Sequence, residues 1–204
     1  GTRLYPACGV ISKQALPVYD KPMVYYAIST LMLGGIREIQ IISSPQHITT
    51  YEELLGDGQS LGVSFNYIIQ EKPAGLSEAL ILSEDFVQND TCCLILGDNF
   101  YYGHGLADRL KKTFTAHTHG AIVFGYKVID PSDYGVLEVN GKSVVSIEEK
   151  PAYPRSDIAA TGMYLFDAKA ANFAKSLEPS PRGELEITDL LNLYLEDGCL
   201  SHEF

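Results

Sequence analysis

The chain has 204 residues, 46% of them hydrophobic and 20% charged, which gives enough apolar material for one substantial core and excludes a disordered chain. No stretch reaches the roughly 20 apolar residues that a membrane-spanning helix needs, so no membrane partner is expected. The net charge of −11 argues against nucleic acid or an anionic membrane, which attract basic surfaces, but allows a small phosphorylated ligand held by a few cations in one pocket.

In chain order, two cations come first. Arg3 and Lys13 are separated by a turn-rich segment with Pro6 and Gly9, and two such groups either converge on phosphate oxygens or decorate a solvated surface. Pro22 suits the first turn of a helix that carries Met23, Tyr26, Leu31 and Leu33 and closes at Gly34-Gly35. A short buried strand follows over 39–43, a helix over 49–55 ending at Gly56, a strand over 65–69 and a helix over 76–86. Residues 92–96 read as a strand, 106–114 as a helix and 121–126 as extended chain. Strands alternating with helices at this spacing predict a parallel sheet covered on both faces, with ligands beyond the carboxyl ends of the strands. Residues just after Ser43, Ile69 and Leu96 are therefore the first candidates for function.

Beyond residue 126 the pattern changes. The alternating runs 135–139 and 143–147 flank Asn140-Gly141 and predict a β-hairpin. A strand over 161–166 and helices over 169–176 and 185–196 complete the chain.

Asp98, in Leu96-Gly97-Asp98-Asn99, follows an apolar strand. An acidic residue there suits a Mg²⁺ ion on a phosphate, since Mg²⁺ takes carboxylate oxygen at roughly 2.1 Å and keeps several waters; the alternative is an Asx turn or a helix cap. Glu148-Glu149-Lys150-Pro151 and Arg182-Gly183-Glu184-Leu185-Glu186 each set a cation beside carboxylates. That is the pairing a sugar phosphate asks for, although each is also compatible with solvated charge. Cys8, Cys92, Cys93 and Cys199 lack zinc spacing and read as reduced, packed small hydrophobes. His117 and His119 read as part of an exposed, Thr-rich connection rather than a zinc site. No nucleophile elbow, P-loop or dinucleotide fingerprint occurs.

Taken together, Gly1-Thr2-Arg3-Leu4-Tyr5-Pro6, Ser12-Lys13-Gln14, Leu16-Pro17-Val18-Tyr19-Asp20-Lys21-Pro22-Met23, Leu55-Gly56-Asp57-Gly58, Leu96-Gly97-Asp98-Asn99, Tyr134-Gly135-Val136, Glu148-Glu149-Lys150-Pro151 and the run from Arg182 to Asp189 resemble, in order and spacing, the sugar-1-phosphate nucleotidyltransferases of the glucose-1-phosphate thymidylyltransferase type. The resemblance implies an α/β fold of the nucleotide-diphospho-sugar transferase type: a Rossmann-like mixed, mostly parallel sheet flanked by helices, with a small β-rich sugar-binding lobe. It implies one catalytic core over 1–204, with 1–126 mainly nucleotide-binding and 127–204 mainly sugar-phosphate-binding. The implied reaction joins dTTP and α-D-glucose 1-phosphate to give dTDP-glucose and pyrophosphate for deoxysugar and rhamnose biosynthesis, in the cytoplasm, by a homotetramer. Carried over residue by residue, Arg3 and Lys13 are catalytic; Gly1, Thr2, Gln14, Gln70 and Gly75 bind the nucleotide; Asp98 binds Mg²⁺. Tyr134, Gly135, Glu149, Lys150, Thr161, Gly162 and Arg182 bind the sugar phosphate.

Measured against that family, a first strand, a second metal-binding aspartate and C-terminal helices are expected to be missing, and the isolated chain is expected to be inactive. Two alternatives stand beside this reading: another nucleotide or sugar, such as UTP or galactose 1-phosphate, and a non-catalytic sugar-nucleotide-binding domain.

Overall fold

The computed structural model describes residues 11–141 and 143–204, so Gly1, Thr2, Arg3 and Cys8 lie outside the described residues. In chain order it has strands β1 (Pro17–Val18) and β2 (Lys21–Pro22), helix α1 (Val24–Leu33), β3 (Glu38–Ser43), α2 (Ile48–Leu55), β4 (Ser64–Ile69), α3 (Glu78–Leu82), α4 (Glu84–Val87), β5 (Cys92–Ile95), α5 (Leu106–Ala116) and β6 (Ala121–Lys127). There follow β7 (Gly135–Asn140), β8 (Ser143–Glu149), β9 (Ile158–Phe166), α6 (Ala170–Lys175), α7 (Ile187–Glu196) and β10 (Leu200–Glu203). These elements fall into two compact units interleaved in sequence. The first takes the described residues up to Pro73 and then Ile95–Ala116; the second takes Ala74–Leu94 and His117–Phe204. The residue 126/127 division drawn on functional grounds falls inside the second unit.

In the first unit, α1 buries Val24, Ala27, Ile28 and Leu31, the i, i+3, i+4, i+7 stripe of an amphipathic helix. Strands β3 and β4 pair in parallel from Glu38↔Ser64 to Ser43↔Ile69. The connection between them is α2, whose buried face is Ile48, Tyr51 and Leu55, so this segment is a βαβ unit. Pro22 does not open the helix. It pairs with Pro17 across a tight antiparallel ladder, and the turn between them puts the non-glycine Tyr19 at φ 60°.

The second unit holds a six-stranded sheet in the order β5-β9-β6-β10-β8-β7, with β7 also pairing β9. The mixed α/β class is as expected, but the sheet is less parallel than the sequence pattern implies. Strand β10 runs parallel to β6, while β6–β9, β7–β8, β7–β9 and β10–β8 are antiparallel. All residues of β9 except Thr161 are buried, as suits a strand covered on both faces. The core gathers Val123, Leu137, Phe166, Leu190, Leu191 and Tyr194. The helix expected over 76–86 is broken in two at Ser83, whose hydroxyl donates to the Ala79 carbonyl at 2.7 Å, a side-chain bond that competes with helix continuation. The expected hairpin forms, with its ladder reaching one residue further than the pattern implies: Asn140 belongs to β7 and pairs with Ser143, and Gly141 takes the left-handed φ of 61°. No periodicity predicts β10, because four residues that include Ser, His and Glu give too weak a pattern.

Burial pushes the Cys92 thiol up to about 12 and raises that of Cys93 as well, consistent with inert packed cysteines. His117 corrects the expectation of an exposed loop: it is 7% exposed. The nearby His119 sets Nδ1 3.0 Å from an Asp167 carboxylate oxygen. No helix among the described residues is long and apolar enough to cross a membrane.

Candidate active site

In the first unit, the sequence Ser12-Lys13-Gln14-Ala15 makes a single 3-10 turn at Lys13–Ala15. Lys13 Nζ donates to Asp98 Oδ2 at 2.7 Å. Both side chains are partly exposed, 35% for Lys13 and 24% for Asp98, so the pair is within reach of a ligand. The turn is tethered through Ser12, whose Oγ makes a short hydrogen bond with the Tyr51 hydroxyl on α2. Burial raises the Tyr51 pKa, outweighing the Ser12 bond that lowers it, with the Asp98 charge adding to the rise; Tyr51 is therefore a neutral hydroxyl here. Gln14 lies against the backbone beside Asp98: a Cβ placed on Gly97 would lie 3.2 Å from Gln14 Cγ. Thus Lys13, Gln14 and Asp98 come together, in the segment beyond β5 where the sequence pattern sets the candidate carboxylate. Gln70 follows the last residue of β4, and its amide donates to the Ser43 carbonyl at 2.9 Å. It belongs to the first unit, whereas Gly75 belongs to the second.

The second unit gathers Tyr134, Gly135, Glu149, Lys150 and Arg182. Gly135 opens β7 and pairs with Glu149 at the end of β8. The next residue, Lys150, takes φ 43°, uncommon for a side-chain-bearing residue, and its amide donates to the Tyr134 carbonyl at 2.9 Å. Lys150 Nζ lies 3.6 Å from Glu149 Oε1, and Arg182 Nη2 lies 3.6 Å from the same oxygen. The two cations therefore flank one carboxylate. Gly135 has no room for a side chain, because a Cβ there would meet Thr188 Cγ2 at 2.9 Å. Thr188 is 1% exposed and its hydroxyl is buried with no hydrogen-bond partner among the described residues.

Thr161 and Gly162 lie in β9. The Thr161 hydroxyl donates to the Phe124 carbonyl at 2.9 Å, and Gly162 is buried at φ 70°. Gly75 has a reason of its own to be glycine: at φ 104° a Cβ would lie 2.5 Å from the Leu185 amide nitrogen. Leu185 in turn donates from that amide to the Ala74 carbonyl at 2.7 Å.

Glu186 is a residue that sequence reasoning misses. Periodicity places it inside a helix beginning at residue 185, but α7 starts at Ile187, and Glu186 is an extended, buried residue at the N-cap position whose side chain makes no capping hydrogen bond to the helix. Its carboxylate takes two hydrogen bonds from Arg182, from Nε at 3.1 Å and from Nη2 at 2.7 Å. Burial pushes this carboxyl up, but the Arg182 guanidinium, the Ser180 hydroxyl and the Lys150 charge outweigh it and hold it below the usual carboxylate range. The four-residue spacing of Arg182 and Glu186 is the available signal, and in sequence it is indistinguishable from solvated charge.

For a metal, the donor set is small. Among the described residues no three His, Cys, Asp or Glu side chains form a group able to hold an ion by themselves. One partly exposed carboxylate, Asp98, is still what Mg²⁺ accepts when phosphate oxygens and waters complete its shell.

The chain matches the family described as nucleotidyl transferase over residues 1–204. It belongs to that family. Among nucleotidyl transferases it is 54% identical over 202 residues to the glucose-1-phosphate thymidylyltransferase of Neisseria meningitidis serogroup A / serotype 4A, covering 98% of this chain and 70% of that protein. To the enzyme of the same name from Xanthomonas campestris pv. campestris it is 53% identical, covering 100% of this chain and 69% of the relative. A Bacillus anthracis protein provisionally named glucose-1-phosphate thymidylyltransferase, solved with sucrose, superposes with a TM-score of 0.90 at 42% identity, over 99% of this chain and 81% of that one. A UDP-glucose pyrophosphorylase solved with UDP-glucose shares the fold alone, with a TM-score of 0.85 at 22% identity over 98% of this chain and 85% of that one.

Proposed function

We propose that this protein transfers a deoxythymidylyl group from dTTP to α-D-glucose 1-phosphate, giving dTDP-glucose and pyrophosphate. A phosphate oxygen of the sugar phosphate attacks the α-phosphorus of dTTP in line, and the bond to the departing pyrophosphate breaks without a covalent enzyme intermediate. Two anions must be brought together and the charge on the α-phosphate compensated, so the protein's work is positioning and electrostatic stabilisation. The observation that carries this reading is the Lys13–Asp98 pair at 2.7 Å, partly exposed in the unit that holds the parallel β3–β4 pair. It sets a cation for phosphate oxygens beside a carboxylate for a metal.

In this scheme Lys13 and Arg3 meet the reacting phosphates, with Gly1 and Thr2 in the same phosphate-binding segment. Gln14 and Gln70 recognise the thymine edge, and Gly75 lets the backbone approach the base. Asp98 holds Mg²⁺, which supplies charge neutralisation on the phosphates. In the second unit Lys150 and Arg182 receive the sugar phosphate, while Tyr134, Gly135, Glu149, Thr161 and Gly162 line the sugar position. The βαβ segment of β3, α2 and β4 supports a Rossmann-like nucleotide-binding half. A homotetrameric assembly belongs to the same reading and is read out by sedimentation.

The test is product formation by the complete gene product that contains this chain, given glucose 1-phosphate, Mg²⁺ and each nucleoside triphosphate in turn. dTDP-glucose should dominate; a preference for UTP, or no nucleotide sugar at all, would overturn the assignment.

A further inference from the structure

Glu186 touches no substrate in the scheme above, yet it is held from three directions. Its side chain is 10% exposed and grips Arg182 through both carboxylate oxygens. The Ser180 hydroxyl donates to Oε1 at 2.7 Å. The backbone around the same residue is clasped from a distant segment: the fully buried Ser77 donates from its hydroxyl to the Glu186 carbonyl at 2.9 Å, and from its amide to the Leu185 carbonyl at 3.2 Å. Arg182, by contrast, has a side chain 44% exposed. The asymmetry is what an anchor needs, a fixed buried partner orienting an exposed one. Only the Nε–Nη2 edge of the guanidinium is engaged with Glu186, and Nη1 takes no part in those bonds.

We infer that Glu186 is a positioning residue: it locks the Arg182 guanidinium in the orientation that receives the phosphate of the sugar 1-phosphate, and it never contacts the substrate. The inference rests on the sugar-phosphate reading of Arg182. Pre-setting a long, rotamer-rich side chain removes an ordering cost that binding would otherwise bear. A purely coulombic view gives the opposite sign. Glu149 and Glu184 already lie 3.6 and 3.3 Å from Arg182 Nη2, so deleting a third carboxylate would make the site more attractive to a dianion.

The discriminating variant is Glu186→Gln, which keeps the shape and removes the charge. In the complete gene product the KM for glucose 1-phosphate should rise about tenfold, the upper end of the ordering cost of one rotamer-rich side chain, while the KM for dTTP stays put. In an Arg182→Ala background the same change should add nothing, because a residue acting through Arg182 has nothing left to act on. A KM that falls or does not move, or effects that add in the double variant, would overturn the inference. A substrate-free readout separates this outcome from failure of the proposed reaction. The Arg182 side-chain Nε–H, assigned by its loss in Arg182→Lys, should give a slowly exchanging NMR signal that Glu186→Gln abolishes, and a signal unchanged in that variant sinks the positioning role. A wild-type protein that shows this signal but no saturable use of glucose 1-phosphate instead sinks the proposed reaction.

Discussion

Replacing Lys13 by methionine keeps much of the length of the side chain and removes its charge. In the ligand-free protein this deletes a 2.7 Å ion pair whose side chains are 35% and 24% exposed. Solvent screens a pair in that setting, so its contribution to stability is about 0–1 kcal/mol. For a protein of this size a melting temperature moves by roughly 2–4 °C per kcal/mol, and the expected shift is therefore a few degrees at most. Catalysis is a different matter. If Lys13 faces the charge that builds on the α-phosphate, its removal costs what loss of one preorganised donor costs, about 3–4 kcal/mol or 10²–10³ in kcat. The assay pairs thermal melts with the initial rate of pyrophosphate release at saturating substrates. Lys13→Met should melt nearly like wild type while kcat collapses. A kcat within about threefold of wild type would refute the catalytic role, and a rate loss accompanied by a large drop in melting temperature would show that Lys13 matters for structure instead.

Three further perturbations follow from the second unit. Gly75→Ala forces a side chain into a φ of 104° and against the Leu185 backbone, and should cost about 3 kcal/mol from strain and overlap; an unmoved denaturation midpoint would contradict this. Lys150→Ala should weaken glucose 1-phosphate binding by about one to two orders of magnitude by titration calorimetry, since a charge-assisted contact is worth roughly 1.5–3 kcal/mol; unchanged affinity removes Lys150 from the phosphate. Asp167 concerns pH. Burial pushes its carboxyl up, but the amides of Gly120 and Lys169, the Tyr194 hydroxyl and His119 together hold it below the usual carboxylate range. A depressed folded-state pKa contributes stability that is complete above the unfolded value, near pH 4, and is lost as pH falls through the folded value. Tyr194→Phe deletes the 2.9 Å bond to Asp167 and lets the folded-state pKa rise toward the unfolded one, so urea unfolding should show lower stability at neutral pH and an acid loss that is smaller and is complete at a higher pH than in wild type. An acid limb superimposable on wild type would contradict the network.

Much of the architecture can be read from local pattern. The Val24, Ala27, Ile28 and Leu31 stripe, the β3 and β4 runs and the β7–β8 hairpin all follow from periodicity that burial then satisfies. What cannot be read is set by partners distant in sequence. The antiparallel weight of the large sheet depends on β9 taking β6 on one side and β7 as an additional neighbour, and nothing in residues 158–166 announces that choice. Pro22 carries the same local signal whether it opens a helix or pairs with Pro17, and only the turn at Tyr19 decides. At the site, Lys13 and Asp98 are legible as types in suggestive places, although the 85-residue separation they close is not. Glu186 is invisible as a functional group because its role depends on Ser77 and Ala74 fastening the chain around it.

The proposed reaction is a direct transfer, in which a sugar-phosphate oxygen displaces pyrophosphate from the α-phosphorus of dTTP. Its most direct test is stereochemical, with dTTP made chiral at that phosphorus by sulfur substitution and turned over with glucose 1-phosphate by the complete gene product. One in-line displacement predicts inverted configuration in the thio-substituted dTDP-glucose. Retention would reveal a nucleotidylated protein intermediate and contradict the account.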